Sequence, residues 1–304
     1  MAEAGRPPTW GQWTAFWAYR AFAFLLAVIH RRTALALGDA VGRLAFRLDG
    51  RRRRIALDNL ALAFSQTTTA AERRTIARKS FRNFGRVVFD TLALSRRPRE
   101  YALGLVDVEG QGHLEAALAP GRGVLVFTAH YGNWEIGCGP ISGTAPFGVI
   151  ARPLDNPLID RSLVLARERL GVRVIPKTGA GRHILRALGR NEIIGLLIDQ
   201  NVLRREAVFV DFFGRLAGTT PALAAFHLKT GAPLLPLFID PLPAGRYRLR
   251  LLEPLVFPPT GPAREDVLKI TGICTKMIER EIRDRPEAWL WFHKRWQSRP
   301  VDER

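Results

Sequence analysis

In the run GVLVFTAHYGNWEIG (residues 123–137) a hydrophobic, β-branched stretch stops at Thr128-Ala129, His130 follows, and Glu135 stands five residues on. Histidine takes and returns a proton near neutral pH, and a carboxylate on one ring nitrogen fixes the tautomer and leaves the other nitrogen free to work. Five residues is a poor spacing for two side chains on one helix face. It suits a histidine just outside the helix, with the chain turning back between the two. Gly132-Asn133 opens a helix in this reading, so free backbone amides at its start can stabilise negative charge developing beside His130. The pattern fits a general base acting on an external hydroxyl. A G-x-S-x-G elbow is absent, Cys138 falls in an apolar helix and reads as core, and neither HExxH nor HxxxH occurs, so no zinc site is expected.

The surrounding chain supplies the elements that would position these groups. Short β-branched runs at 123–129, 147–151, 172–176, 192–199, 207–212 and 233–239 read as strands, and Tyr247, Leu249 and Leu251 alternate with arginines as a half-exposed strand. Helical spacing marks 55–64, 70–94, 156–170, 179–190 and 219–230, and a long helix from 264 with Val267, Ile270, Cys274, Met277, Ile278 and Ile282 as its buried stripe. This alternation predicts an α/β fold, a mostly parallel sheet flanked by helices, whose ligand site lies beyond the carboxyl ends of the strands. Asp199 ends the strand over 192–199 on that same side.

Charge and hydropathy bound the partners. The 304 residues are 47% hydrophobic and 24% charged, which excludes disorder and a polytopic membrane protein, and two cysteines exclude a disulfide framework. The net charge is +18, and 40 of the 46 basic residues are arginines, which favours anionic partners. Between Trp10 and His30 the only charged residue is Arg20. Trp13 to Ile29 spans roughly 26 Å as a helix, just short of a hydrocarbon core of about 30 Å. Arg31, Arg32, Arg43, Arg47 and Arg51 to Arg54 follow it. A greasy helix followed by a basic cluster is how a chain holds anionic lipid on the cytoplasmic side. Residues 1–54 therefore read as a membrane-anchoring basic segment, single-pass or interfacial, and 55–304 as the catalytic domain.

Several motifs in order resemble one family. They are Arg54 with Asn59-Leu60 and Phe64, HYGNWE (130–135), ARPLDNPLID (151–160), LIDQN (197–201), VFVDFFG (208–214), TTPALA (219–224) and WLWFHKRW (289–296). Histidine, four residues and an acid at the end of a buried strand resembles the active-site motif of the glycerolipid acyltransferase superfamily. The neighbouring sequence is similar to its bacterial late lipid A biosynthesis acyltransferases. The resemblance implies a glycerolipid-acyltransferase-like α/β sandwich with an N-terminal membrane-associated helix. It also implies transfer of a fatty acyl chain from an acyl carrier protein thioester to a hydroxyl of a lipid A precursor. His130 would be the general base and Glu135 its orienting acid, with Asp199 sharing that role. Arg152 would meet a lipid phosphate, Lys177 near a basic position of the family would bind substrate, Gly132 and Asn133 would meet the oxyanion, and the tail around Trp291, His293 and Arg295 would form a helix.

This chemistry requires no metal or cofactor; the acyl donor, carried on acyl carrier protein or coenzyme A, is a substrate. Expected partners are acyl carrier protein, an anionic membrane glycolipid and the membrane surface, with no nucleic acid, at the cytoplasmic face of the bacterial inner membrane. Two other readings stay open. One keeps the chemistry with another acceptor, such as a phosphatidylinositol mannoside or an aminolipid. The other is a non-catalytic basic protein that binds membrane or nucleic acid.

Overall fold

The computed structural model describes residues 7–300, so the first six residues of the 1–54 segment lie outside the described residues. Four helices lead: α1 (Trp10–Val28), α2 (Arg31–Leu48), α3 (Gly50–Phe64) and α4 (Ala70–Leu94). Capping boxes start α1 (Thr9 with Gln12) and α4 (Thr69 with Glu72), satisfying amides that a helix start leaves open. α2, anticipated only as a basic cluster, is a full helix packed along α4. Glycines allow the contact: a Cβ on Gly85 would sit 2.1 Å from the Gly38 carbonyl oxygen, and one on Gly42 2.4 Å from that of Phe81. Arg31 is buried at this junction and donates to both oxygens of Asp90, at 2.6 and 2.8 Å. Residue 54, where a boundary was expected, lies inside α3. No helix among the described residues is long and apolar enough to cross a membrane.

The body alternates as expected: α5 (Arg99–Leu103), β1 (Val106–Glu109), α6 (Gln111–Leu118), β2 (Val124–Thr128), α7 (Trp134–Ile141), β3 (Phe147–Ala151), α8 (Pro157–Arg169), β4 (Val172–Pro176), α9 (Ala180–Leu188) and β5 (Ile193–Leu197). After these come β6 (Val208–Phe212), β7 (Arg215–Thr219), α10 (Ala222–Thr230), β8 (Leu234–Pro241), β9 (Tyr247–Leu251) and α11 (Ala263–Asp284). Seven strands form one sheet in the order β1-β9-β8-β2-β5-β3-β4. It is parallel except where β9 runs antiparallel to β8. The strand expected at 207–212 belongs elsewhere, as half of a separate β6–β7 hairpin.

Strand periodicity splits the core into two layers. Leu125, Phe127 and Phe238 face one layer with Leu60, Ile278 and Trp289, while Val124, Val126, Leu235 and Leu237 face the other with Leu114, Ile136 and Ile141. β2 is buried along its whole length at the centre of the sheet, which makes its carboxyl end a rigid platform. The tail corrects the expectation of a terminal helix. After a single 3-10 turn at Pro286–Ala288 it runs irregularly, forms a bridge from Trp289 to Tyr131, and buries Trp289, Trp291 and Arg295 completely. Asn59 of α3 holds it by donating to the carbonyls of Trp291 and His293 at 2.7 and 2.6 Å.

Candidate active site

His130 stands two residues past the end of β2, and Asp199 two past the end of the neighbouring parallel strand β5. Register therefore brings the two together. Asp199 Oδ1 lies 2.9 Å from His130 Nδ1, and its Oδ2 accepts from the His130 backbone amide at 3.0 Å and from Trp289 Nε1 at 2.8 Å. Burial alone would raise the Asp199 carboxyl; the charge and hydrogen bonds of His130 outweigh it and hold the group well below the usual carboxylate range. An ionised Asp199 requires a proton on Nδ1, which turns Nε2 outward as the acceptor nitrogen. Nε2 lies 3.2 Å from the Gln200 side-chain nitrogen, and the His130 side chain is 22% exposed, so one edge of the ring is reachable. The Trp134 ring crosses that of His130 edge-on at 5.1 Å and stacks on Phe84 of α4.

Glu135 is not hydrogen-bonded to His130, contrary to expectation. It sits in the first turn of α7 and takes a bidentate pair from Arg167 of α8, Nε to Oε2 at 2.9 Å and a terminal nitrogen to Oε1 at 2.7 Å, with Trp134 Nε1 donating at 3.2 Å. Burial disfavours the Arg167 charge, but Glu135 more than restores it and its pKa is raised. Below this pair, Leu94, Ile136, Leu163 and Leu170 line a slot of about 30 Å³.

Gly132 and Asn133 shape the turn. Gly132 has φ of 59°, and a Cβ there would meet the Ile239 carbonyl oxygen at 1.8 Å, so glycine is required. Its amide donates to the Ala288 carbonyl at 3.0 Å, which removes it from the expected oxyanion role. The Asn133 side chain is buried and donates to Asp90 and to the Tyr247 hydroxyl at 3.1 and 3.0 Å, anchoring the turn to the Arg31–Asp90 pair. Arg152 and Lys177 are exposed just beyond the paired ends of β3 and β4, and neither side chain has an ion-pair partner among the described residues. They are two and three strands from β2, roughly 10–15 Å at normal strand spacing. Cys138 is partly buried against the layer of Ile136 and Ile141, and burial pushes its thiol up to about 12, which speaks against it as a nucleophile. No cluster suited to a metal ion occurs among the described residues.

Three contributors escape sequence reasoning: Arg167, Gln200 and Trp289. Arg167 is an isolated helical arginine with no sequence signal. Gln200 and Trp289 lie inside LIDQN and WLWFHKRW, where motif membership was the available clue. His293, in the same tail motif, is partly buried, and desolvation pushes it down to about 4 against the pull of Asp199.

Residues 9–298 match the family described as bacterial lipid A biosynthesis acyltransferase. The chain is 29% identical over 266 residues to the lipid A biosynthesis lauroyltransferase of Escherichia coli K12, covering 87% of this chain and 85% of that protein. It is 28% identical over 230 residues to the phosphatidylinositol mannoside acyltransferase of Mycolicibacterium smegmatis, covering 74% and 72%. Among solved structures, the 1-acyl-sn-glycerophosphate acyltransferase PlsC from Thermotoga maritima aligns with a TM-score of 0.39 and 16% identity, over 86% of this chain and 99% of that one.

Proposed function

The chain belongs to the bacterial lipid A biosynthesis acyltransferase family and is an O-acyltransferase, and from that premise we propose that it moves a fatty acyl chain from an acyl carrier protein thioester to a hydroxyl of a lipid A precursor. The observation that carries the mechanism is the contact of Asp199 with His130 Nδ1, which leaves Nε2 facing the open edge. Nε2 takes the proton of the acceptor hydroxyl as the oxygen attacks the thioester carbonyl. The carbonyl electron pair moves onto oxygen, the tetrahedral oxyanion collapses with cleavage of the carbon–sulfur bond, and His130 returns the proton to the leaving thiolate. Asp199 is the positioning carboxylate, stabilising the imidazolium formed in between. Glu135 acts through Arg167, whose guanidinium is held beside the site by two hydrogen bonds. The Trp134 and Glu135 amides, at the open start of α7, offer charge stabilisation to the oxyanion in place of Gly132. Arg152 and Lys177 bind acceptor phosphate, and the apolar slot beside Glu135 takes the acyl chain once its side chains part.

The exposed face of α1 supports reaction at the cytoplasmic surface of the inner membrane. Trp10, Trp13, Trp17, Phe24, Leu25 and Val28 are solvent-facing in the free protein, and Arg20 lies over the Phe16 and Trp17 rings rather than in a continuous apolar span. That is the composition of a helix lying in the interface.

The test is thioester consumption by detergent-solubilised protein, with acyl carrier proteins bearing several chain lengths, offered a Kdo-bearing lipid A precursor or a phosphatidylinositol mannoside. His130→Ala is expected to abolish turnover, and Asp199→Asn to lower kcat by about 10²- to 10⁴-fold with KM little changed. Transfer to the mannoside alone would move the acceptor and keep the chemistry. Turnover unaffected by His130→Ala would overturn the mechanism.

A further inference from the structure

We propose that the groove between α2 and α4, away from the His130 site, binds the phosphate headgroup of an anionic bilayer lipid. The groove has a volume of about 620 Å³, and Arg43 and Arg47 of α2 face Arg74, Arg78 and Arg82 of α4 across it, with Phe46 at its floor. Gathering five guanidiniums costs repulsion unless carboxylates or a bound anion offset it. The nearby carboxylate is Asp39, already shared by Arg82 at 2.9 Å, Arg86 at 3.2 Å and Arg43 at 3.5 Å. Arg47, Arg74 and Arg78 have no carboxylate partner among the described residues. Arg74 is also held in place, its guanidinium 5.4 Å from the centre of the Phe46 ring, with Arg53 at 5.9 Å. Its donors are thus pre-positioned for the bidentate recognition of phosphate that arginine favours.

The groove's position on α2 selects a lipid over a soluble anion. Leu37, Val41, Leu44 and Leu48 are all exposed and recur at i, i+4, i+7 and i+11, forming one apolar stripe along the outer face. At 100° per residue, Arg43 and Arg47 lie about a quarter-turn from that stripe, between it and α4. If the stripe enters the acyl region, the groove sits at headgroup depth. A free anion would use the arginines and leave the leucine stripe unexplained; a headgroup with its chains uses both.

The experiment is co-sedimentation with vesicles of phosphatidylcholine alone or with one quarter phosphatidylglycerol. It compares the intact protein with Arg74→Gln/Arg78→Gln, and with a charge-matched control, Arg182→Gln/Arg186→Gln, on exposed positions of α9. The groove variant is expected to lose roughly ten- to thirty-fold in affinity for the anionic vesicles, and the control several-fold less. Binding to neutral vesicles should be unchanged in both. Equal losses in the two variants would reduce the effect to net charge and overturn the site, as would no loss in either. Inorganic phosphate titrated against lipid-free protein separates the sources. Saturable binding lost in the groove variant, with vesicle affinity unaltered, would replace the lipid with a soluble anion. His130-dependent turnover in detergent should persist in both variants, so failure here is distinct from failure of the catalytic assignment.

Discussion

His293 illustrates how a residue can matter to this site without touching substrate. It is partly buried within the charge field of Asp199 and Arg295, its Nδ1 lies 2.9 Å from the Leu290 carbonyl oxygen, and its buried Nε2 has no hydrogen-bond partner among the described residues. Its folded pKa of about 4 lies below the ordinary 6.5, so the unfolded chain binds the proton first as pH falls. Stability is therefore expected to drop from about pH 6.5 towards pH 4, by on the order of 3 kcal/mol. Asp199 adds a further loss at lower pH, because its depressed carboxyl stabilises the fold only while ionised. His293→Phe is expected to flatten the decline between pH 6.5 and 4 in denaturant titrations; an unaltered pH slope would rule out His293 as its source. The pairing of His130 with Asp199 is legible in the sequence only through the family resemblance, because nothing local shows that β2 and β5 are neighbours. The partner of Glu135 is not, because Arg167 reaches it from a different helix and no local spacing encodes that crossing.

At the scale of elements, β-branched runs identify the central strands because parallel strands buried on both faces need continuous apolar sequence. The rule finds the strand at 207–212 as well but not its partner, since an antiparallel hairpin packed under α11 carries similar residues. α2 escapes because its lipophilic stripe faces outward while its inner face is glycine, alanine, Phe46 and a buried Arg31–Asp90 pair, so its amphipathic pattern points the apolar side away from the core. The tail misleads in the opposite direction, its dense aromatics each anchored by tertiary contacts rather than by helical periodicity. Gly85 tests the α2–α4 crossing. Gly85→Ala forces a methyl against the Gly38 carbonyl and is expected to destabilise the protein by about 1–3 kcal/mol or more. Thermal melting would measure this; an unchanged Tm would mean that the helices separate at no cost.

The whole molecule is closed by the segment from Trp289 to Trp296. Trp289, Trp291 and Trp296 belong to the main core, and Arg295 is wholly buried, donating to the Gly218 carbonyl and Thr219 hydroxyl. Removing one buried tryptophan side chain costs about 3–5 kcal/mol, and a typical domain holds only about 5–15 kcal/mol in total. A chain lacking residues 286–304 is thus expected to lose its cooperative unfolding transition, read by near-ultraviolet circular dichroism; a retained sharp transition would refute this. The Trp289 hydrogen bond to Asp199 also has a meaning in time. Those two residues are 90 positions apart, which at ordinary translation rates is roughly 5–20 seconds on the ribosome. Until Trp289 emerges, the nascent chain holds His130 and Asp199 without the indole that completes their arrangement.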